Sequence, residues 1–167
     1  MKGISRVFLT AMTILLGAFV VQSTAYAQIG PDPQTSPRHS RIVGVWNVEV
    51  VVARCDNGDP ISTFSALHQY DIGGTGQVVP SGSPTALSAH MMVWNYVKKD
   101  NYQMALKFFR YNEEGAYIGW NVIRTEVSIN REGTDYVGSG VAEIYGADGT
   151  FLGASCPSFV GTRFTGE

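Results

Sequence analysis

The stretch IVGVWNVEVVVARC, residues 42–55, decides the fold. Trp46, Val48, Val50 and Val52 recur at every second position and so share one face of an extended segment that ends in Arg54. Gly44-Val45-Trp46 opens the run, and Cys55, one of only two cysteines in the chain, closes it. This pattern is read as the first strand of a closed antiparallel β-barrel.

Upstream lies a leader. Lys2 and Arg6 make a basic start, residues 7–21 are mostly apolar, and Ala25-Tyr26-Ala27 is a small-x-small cleavage site. Residues 1–27 therefore read as a secretory signal peptide, with the mature chain beginning at Gln28. The alternative, an uncleaved anchor, is disfavoured by an apolar run short for a spanning helix and by the lack of a stop-transfer flank. The protein is accordingly expected to be exported, periplasmic or secreted, with no stable membrane insertion after cleavage. Residues 28–41 hold Pro31, Pro33 and Pro37 and read as a flexible lead-in. Residues 42–167 are expected to form a single β-barrel domain.

Without the leader, 140 residues remain, with ten Lys+Arg against 14 Asp+Glu, a net −4. Lys98-Lys99 is the one basic cluster. Nucleic acid and anionic membrane are poor partners for such a chain. In an exported protein, Cys55 and Cys156 are expected to form a disulfide rather than a metal or redox pair.

Downstream the chain is strand and turn. Eight runs rich in Val, Ile, Thr, Tyr, Phe and Trp fall at about 43–55, 61–71, 75–80, 88–97, 101–111, 116–130, 134–145 and 150–165. Short turn signals separate them, including two Asn-x-x-Gly turns that begin at Asn112 and Asn130. Consecutive hairpins give an up-and-down order, and pairing the first strand with the last removes both raw edges. If Cys55 stands opposite Cys156, Trp46 faces Thr165, and Arg163 lies two residues away on the same side. The predicted fold is all-β, an eight-stranded antiparallel up-and-down barrel closed by its first and last strands.

Alternation sets the expected interior. Phe64, Ala66, His68 and Tyr70 share a face on strand two, His90, Met92, Trp94 and Tyr96 on strand four, and Tyr102, Met104, Leu106 and Phe108 on strand five, which ends in Arg110. Strand six reads both ways: Trp120, Val122, Arg124 and Glu126 lie opposite Tyr117, Asn121, Ile123, Val127 and Ile129. Large aromatics on successive strands either fill a small barrel or line a ligand cavity.

Gly44-Val45-Trp46 on a first strand, Arg163 on a last strand and Thr134-Asp135-Tyr136 before the seventh strand resemble the lipocalin signature within the calycin group. The resemblance implies a lipocalin-like barrel with the Gly-x-Trp at one end and the Arg packed across the indole. It also implies a small ligand in the barrel mouth. Two features depart from that pattern: the first loop spans only residues 56–60, and no helix and extra strand follow strand eight. The segments GGTG at 73–76 and FFRYNEEG at 108–115 also resemble small exported bacterial barrels of uncharacterised function.

The ligand-lining set read from these faces is Phe64, His68, Tyr70, Trp94, Tyr96, Met104 and Phe108. His68, Tyr70 and His90 are the candidate catalytic groups, since a buried His–Tyr pair can move a proton. No metal and no cofactor are expected: the two histidines and Asp71 or Glu126 lack ligand spacing, and Gly73-Gly74-Thr75-Gly76 has no Lys and no following helix. Gly138-Ser139-Gly140 lacks the context of a nucleophile elbow. The leading reading is a non-catalytic barrel that binds a small apolar or aromatic molecule. A filled structural or interaction protein is second, and an isomerase- or cyclase-type enzyme using His68 and Tyr70 is third. Nothing in the pattern selects an oligomeric state.

Overall fold

A computed structural model describes residues 39–82 and 87–166. The expected signal peptide at 1–27 and most of the expected lead-in lie outside them. A 3₁₀ turn, His39–Ile42, leads into eight strands: β1 Gly44–Ala53, β2 Pro60–Tyr70, β3 Thr75–Pro80, β4 His90–Lys98, β5 Asn101–Tyr111, β6 Tyr117–Ile129, β7 Asp135–Gly146 and β8 Phe151–Arg163. All neighbours are antiparallel, and β1 pairs with both β2 and β8, so the sheet closes. Turn chemistry explains the meander. Gly115 and Gly133, each three residues after an Asn, take the left-handed conformation, with φ of 79° and 81°.

The β1–β8 seam has the expected strands but a different register. Trp46 pairs with Arg163 rather than Thr165, and Ala53 rather than Cys55 pairs with Cys156. The cause is local. β1 ends at Ala53 with an irregularity in its ladder to β2, and Cys55 already lies in the turn to β2, where Arg54 N–H bonds the Asp59 carbonyl. Cys55 reaches back diagonally to form the disulfide, with the two Cα atoms 5.1 Å apart. The offset is an even number of residues, so every side chain keeps its face.

Strand six resolves with Asn121, Ile123, Thr125, Val127 and Ile129 inward, while Arg124 and Glu126 are exposed on the outer wall. Arg124 pairs there with Glu143. Most inward side chains belong to one apolar core cluster.

One barrel end is plugged. Trp46 is fully buried and donates its indole N–H to the Ile42 carbonyl at 2.8 Å. The Arg163 guanidinium lies 4.2 Å from the Trp46 ring centroid. It also donates to the carbonyls of Gly133 at 2.8 Å, Val43 at 2.9 Å and Arg41. Gly44, at φ 129°, leaves room: a Cβ there would sit 2.8 Å from an Arg163 nitrogen. Arg41 closes the outside, bonded to Asp100 and to the carbonyls of Asn130 and Arg131. The end of the lead-in is thus tied to the barrel floor. Beneath, the Asn130 side-chain oxygen accepts from the backbone N–H of Gly133, Thr134 and Asp135, which sets the turn carrying Thr134-Asp135-Tyr136.

Arg163→Met should lower the unfolding free energy by about 2–4 kcal/mol, because three carbonyls lose a charged donor. Urea denaturation measures it. Arg163→Lys should recover less than half, since an ammonium cannot span three carbonyls and stack on the indole as well.

Candidate functional site

Above the plug, the interior divides into a filled half and a hollow half. The filled half is aromatic. Trp46 meets Tyr136 edge-on at 4.8 Å, Tyr136 meets Tyr70 at 6.2 Å, and contacts continue through Trp94 and Tyr102 to Tyr96. The Trp94 indole N–H bonds the Thr75 carbonyl at 2.8 Å. Tyr70, Trp94 and Tyr96 therefore lie in the packed end of the barrel.

The hollow half is a cavity of about 220 Å³. Phe64, His68, Met104 and Phe108 line it, as do His90, Leu106 and Phe159. Its origin is an imbalance of side-chain size. β4 and β5 send in His90, Met104, Leu106 and Phe108, whereas the facing walls on β7 and β8 offer Ala142, Ser155 and Pro157. Pro157 has no N–H, and the β7–β8 ladder skips it, resuming at Ala142↔Ser155. Half-buried residues, including Val52, Phe64, Leu87, Arg110 and Asn121, form the rim. The disulfide fixes the seam beside Pro157 at that rim. A larger concavity of about 640 Å³ lies on the outer wall, bordered by solvent-facing residues such as Val93, Gln103, Arg124 and Glu143. It follows the curve of the sheet and encloses nothing, so the inner cavity is the better candidate site.

Between the two halves sits a buried polar relay. Tyr136 Oη is 2.8 Å from His68 Nδ1. The Tyr70 hydroxyl donates to Met104 Sδ at 3.4 Å. Burial, and then the charge of His90, hold His68 down to about 4. Burial also lowers His90 to about 4. Burial pushes Tyr70 and Tyr136 well above the ordinary phenol range. Every group of the relay is neutral at pH 7.

Four buried polar atoms of the described residues lack a hydrogen-bond partner: His90 Nε2, Arg110 Nε, Asn121 Oδ1 and Thr125 Oγ1. All four residues line the inner cavity. His90 stacks on Phe108, ring centroids 3.8 Å apart and planes 15° apart. The structure brings His68 and His90 to one cavity, while the Tyr70 hydroxyl faces sulfur. Reading by residue type passed over Arg110 and Thr125 as site residues. The signal was present in their phase: Arg110 continues the Met104, Leu106, Phe108 face, and Thr125 lies between Ile123 and Val127. Among the described residues, no three of His, Cys, Asp and Glu gather as a metal cluster.

No protein-family model matches the chain, and no curated protein matches it. The crystal structure of Rv2717c from M. tuberculosis is similar at 11% sequence identity and a TM-score of 0.39, over 77% of this chain and 98% of that one. A likeness at that level says nothing of ligand or activity.

The two depressed histidines give a pH prediction. Above about pH 6.5 both are neutral folded or unfolded and contribute no slope. As pH falls below that, the unfolded chain binds protons that the barrel refuses, so stability drops until about pH 4. Each histidine accounts for up to roughly 3 kcal/mol of that loss. Denaturation midpoints at pH 7 and pH 4.5 should differ less in a His68→Gln, His90→Phe double variant than in the parent.

Proposed function

We propose that this protein is an exported, non-catalytic barrel that holds one small, largely apolar molecule in its interior. The observation that carries the reading is the inner cavity of about 220 Å³ between the aromatic plug and the rim. Its size bounds the ligand. A buried apolar cavity of about 150 Å³ holds benzene, and drug-sized sites begin near 300 Å³, so the occupant has roughly ten non-hydrogen atoms. The disulfide supports export, because such bonds persist in oxidising compartments. A soluble barrel fits the distribution of charge: Glu49, Lys107, Arg124, Glu126 and Glu143 stand on the outer wall around an apolar interior. A membrane-spanning barrel shows the reverse.

Catalysis is the weaker reading because His68 and His90, held near 4 by burial, are poor bases at neutral pH. A surface role has one observation in its favour. Phe109, Tyr117 and Phe151 are exposed on the outer wall, in contact with Tyr111, Trp120 and Tyr145, and Lys107 lies 4.9 Å over the Trp120 ring. An exposed aromatic band of this kind suits contact with another macromolecule.

The cavity reading is tested with toluene and indole by isothermal titration. Wild-type protein should bind at least one of them at one-to-one stoichiometry, and Ala142→Leu, which fills the small-residue wall, should abolish binding while remaining folded by circular dichroism. Equal binding by wild type and Ala142→Leu would place the ligand elsewhere. Extraction after native mass spectrometry of the exported protein should release a molecule of the same size class.

A further inference from the structure

The cavity is apolar in its walls but not in its unmet hydrogen-bonding capacity. Buried polar groups are nearly always paired, and each exception asks for a cause. Here the four exceptions among the described residues fall on one cavity. His90 and Thr125 are each 5% exposed, so solvent at the surface does not reach them freely.

Arg110 sets the charge. Its Nη2 donates to the Tyr145 carbonyl at 3.0 Å, which holds the fork in place and leaves Nε–H unbonded. The ion pairs of the described residues are Arg41–Asp100, Arg54–Asp56 and Arg124–Glu143, and Arg110 is in none of them. A permanent cation with an unfilled donor therefore stands at the rim of an apolar cavity. Guanidinium donors match carboxylate oxygens in geometry and charge, and the match strengthens as water is excluded.

The remaining groups describe the rest of the ligand. The His90–Phe108 stack presents parallel rings at the cavity wall, which suits a planar body. Asn121 pairs directly with Phe108 on the adjacent strand, and its Oδ1 can only accept. A carboxylate cannot satisfy an acceptor, whereas a hydroxyl on the ligand can. Thr125, deeper on the same face, can serve either way.

We propose that the cavity takes a small aromatic carboxylic acid that also carries a hydroxyl, with its carboxylate on Arg110 and its ring beside the His90–Phe108 stack. This inference rests on the cavity reading above and names its ligand class. A hydroxybenzoate, with ten non-hydrogen atoms, has the size that the cavity accepts.

The test is isothermal titration of the three hydroxybenzoate isomers, their amides, benzoate and toluene. At least one hydroxybenzoate should bind one-to-one, about tenfold or more tighter than its own amide and tighter than benzoate. Arg110→Gln should bring acid and amide to equal affinity while still binding toluene, which shows that its cavity is intact. An amide as tight as its acid in the wild type, or an acid preference that survives Arg110→Gln, overturns the assignment. Benzoate binding as tightly as every hydroxybenzoate removes the hydroxyl from it. Toluene binding with no acid binding overturns this inference and leaves the cavity reading standing; no binding of any probe, toluene and indole included, overturns both.

Discussion

The Arg163 guanidinium, stacked on Trp46 and bonded to three carbonyls, is the interaction on which the barrel depends. It joins four parts of the chain: the 3₁₀ turn, the start of β1, the turn before β7 and β8 itself. A stacked cation is worth about 0.5–2 kcal/mol on its own. The larger effect is geometric. A closed sheet needs its first and last strands to meet in one register, and a slip by one residue would turn every inward side chain outward. Arg163 opposite Trp46 pins that register at one end of the seam, and the Cys55–Cys156 bond pins it at the other. Between the two pins, Val48, Val50 and Phe159 have no freedom to exchange faces.

An interior pinned at both ends can be filled from one end only as far as its side chains reach. The aromatic chain from Trp46 to Tyr96 fills the floor. Filling stops at His68, Tyr136 and Tyr70, where the Tyr136 hydroxyl meets His68 Nδ1 and the Tyr70 hydroxyl meets Met104 Sδ. Gly161 makes this stop possible, since a Cβ there would meet the Tyr136 ring at 2.5 Å. The interior is thus packed in one half and hollow in the other. Thr134-Asp135-Tyr136 bridges them: Asp135 accepts from Asn130 and Thr134 at the floor, while Tyr136 reaches up to His68.

Much of this was legible in the sequence, and the rest was hidden for physical reasons. Strand faces follow from a period of two, so the inward positions of β1, β2, β4 and β5 could be read directly. Closure followed from hairpin order. The register was off by two because a cysteine marks the point of covalent contact, not the end of a ladder, and Cys55 lies beyond the last paired residue of β1. The cavity was illegible because a void is a difference in volume between walls that are distant in sequence. Phe108 and Ala142 must be placed around one cavity before their sizes can be compared. Arg110 looked like a strand-end charge, and only the rim gives it meaning. The prolines before Ser40 suggested an extended lead-in throughout, whereas Arg41 docks on the floor through bonds to residues some ninety positions away and Ile42 is fully buried.

A barrel that keeps a void and orphaned polar atoms gives up stability, and the seam suggests how the loss is offset. Leaving about 220 Å³ unfilled costs on the order of 5 kcal/mol at roughly 24 cal/mol per Å³. Closing a loop of 101 residues with a disulfide contributes about 4–5 kcal/mol on the chain-entropy view. The two magnitudes are alike, and the bond lies beside the rim of the void, next to Pro157, where the β7–β8 ladder is interrupted. The break in the β7–β8 ladder, the missing side-chain volume and the covalent bond therefore share one region. The bond thus offsets, in the region where it is incurred, a loss of the same order as the one the void imposes.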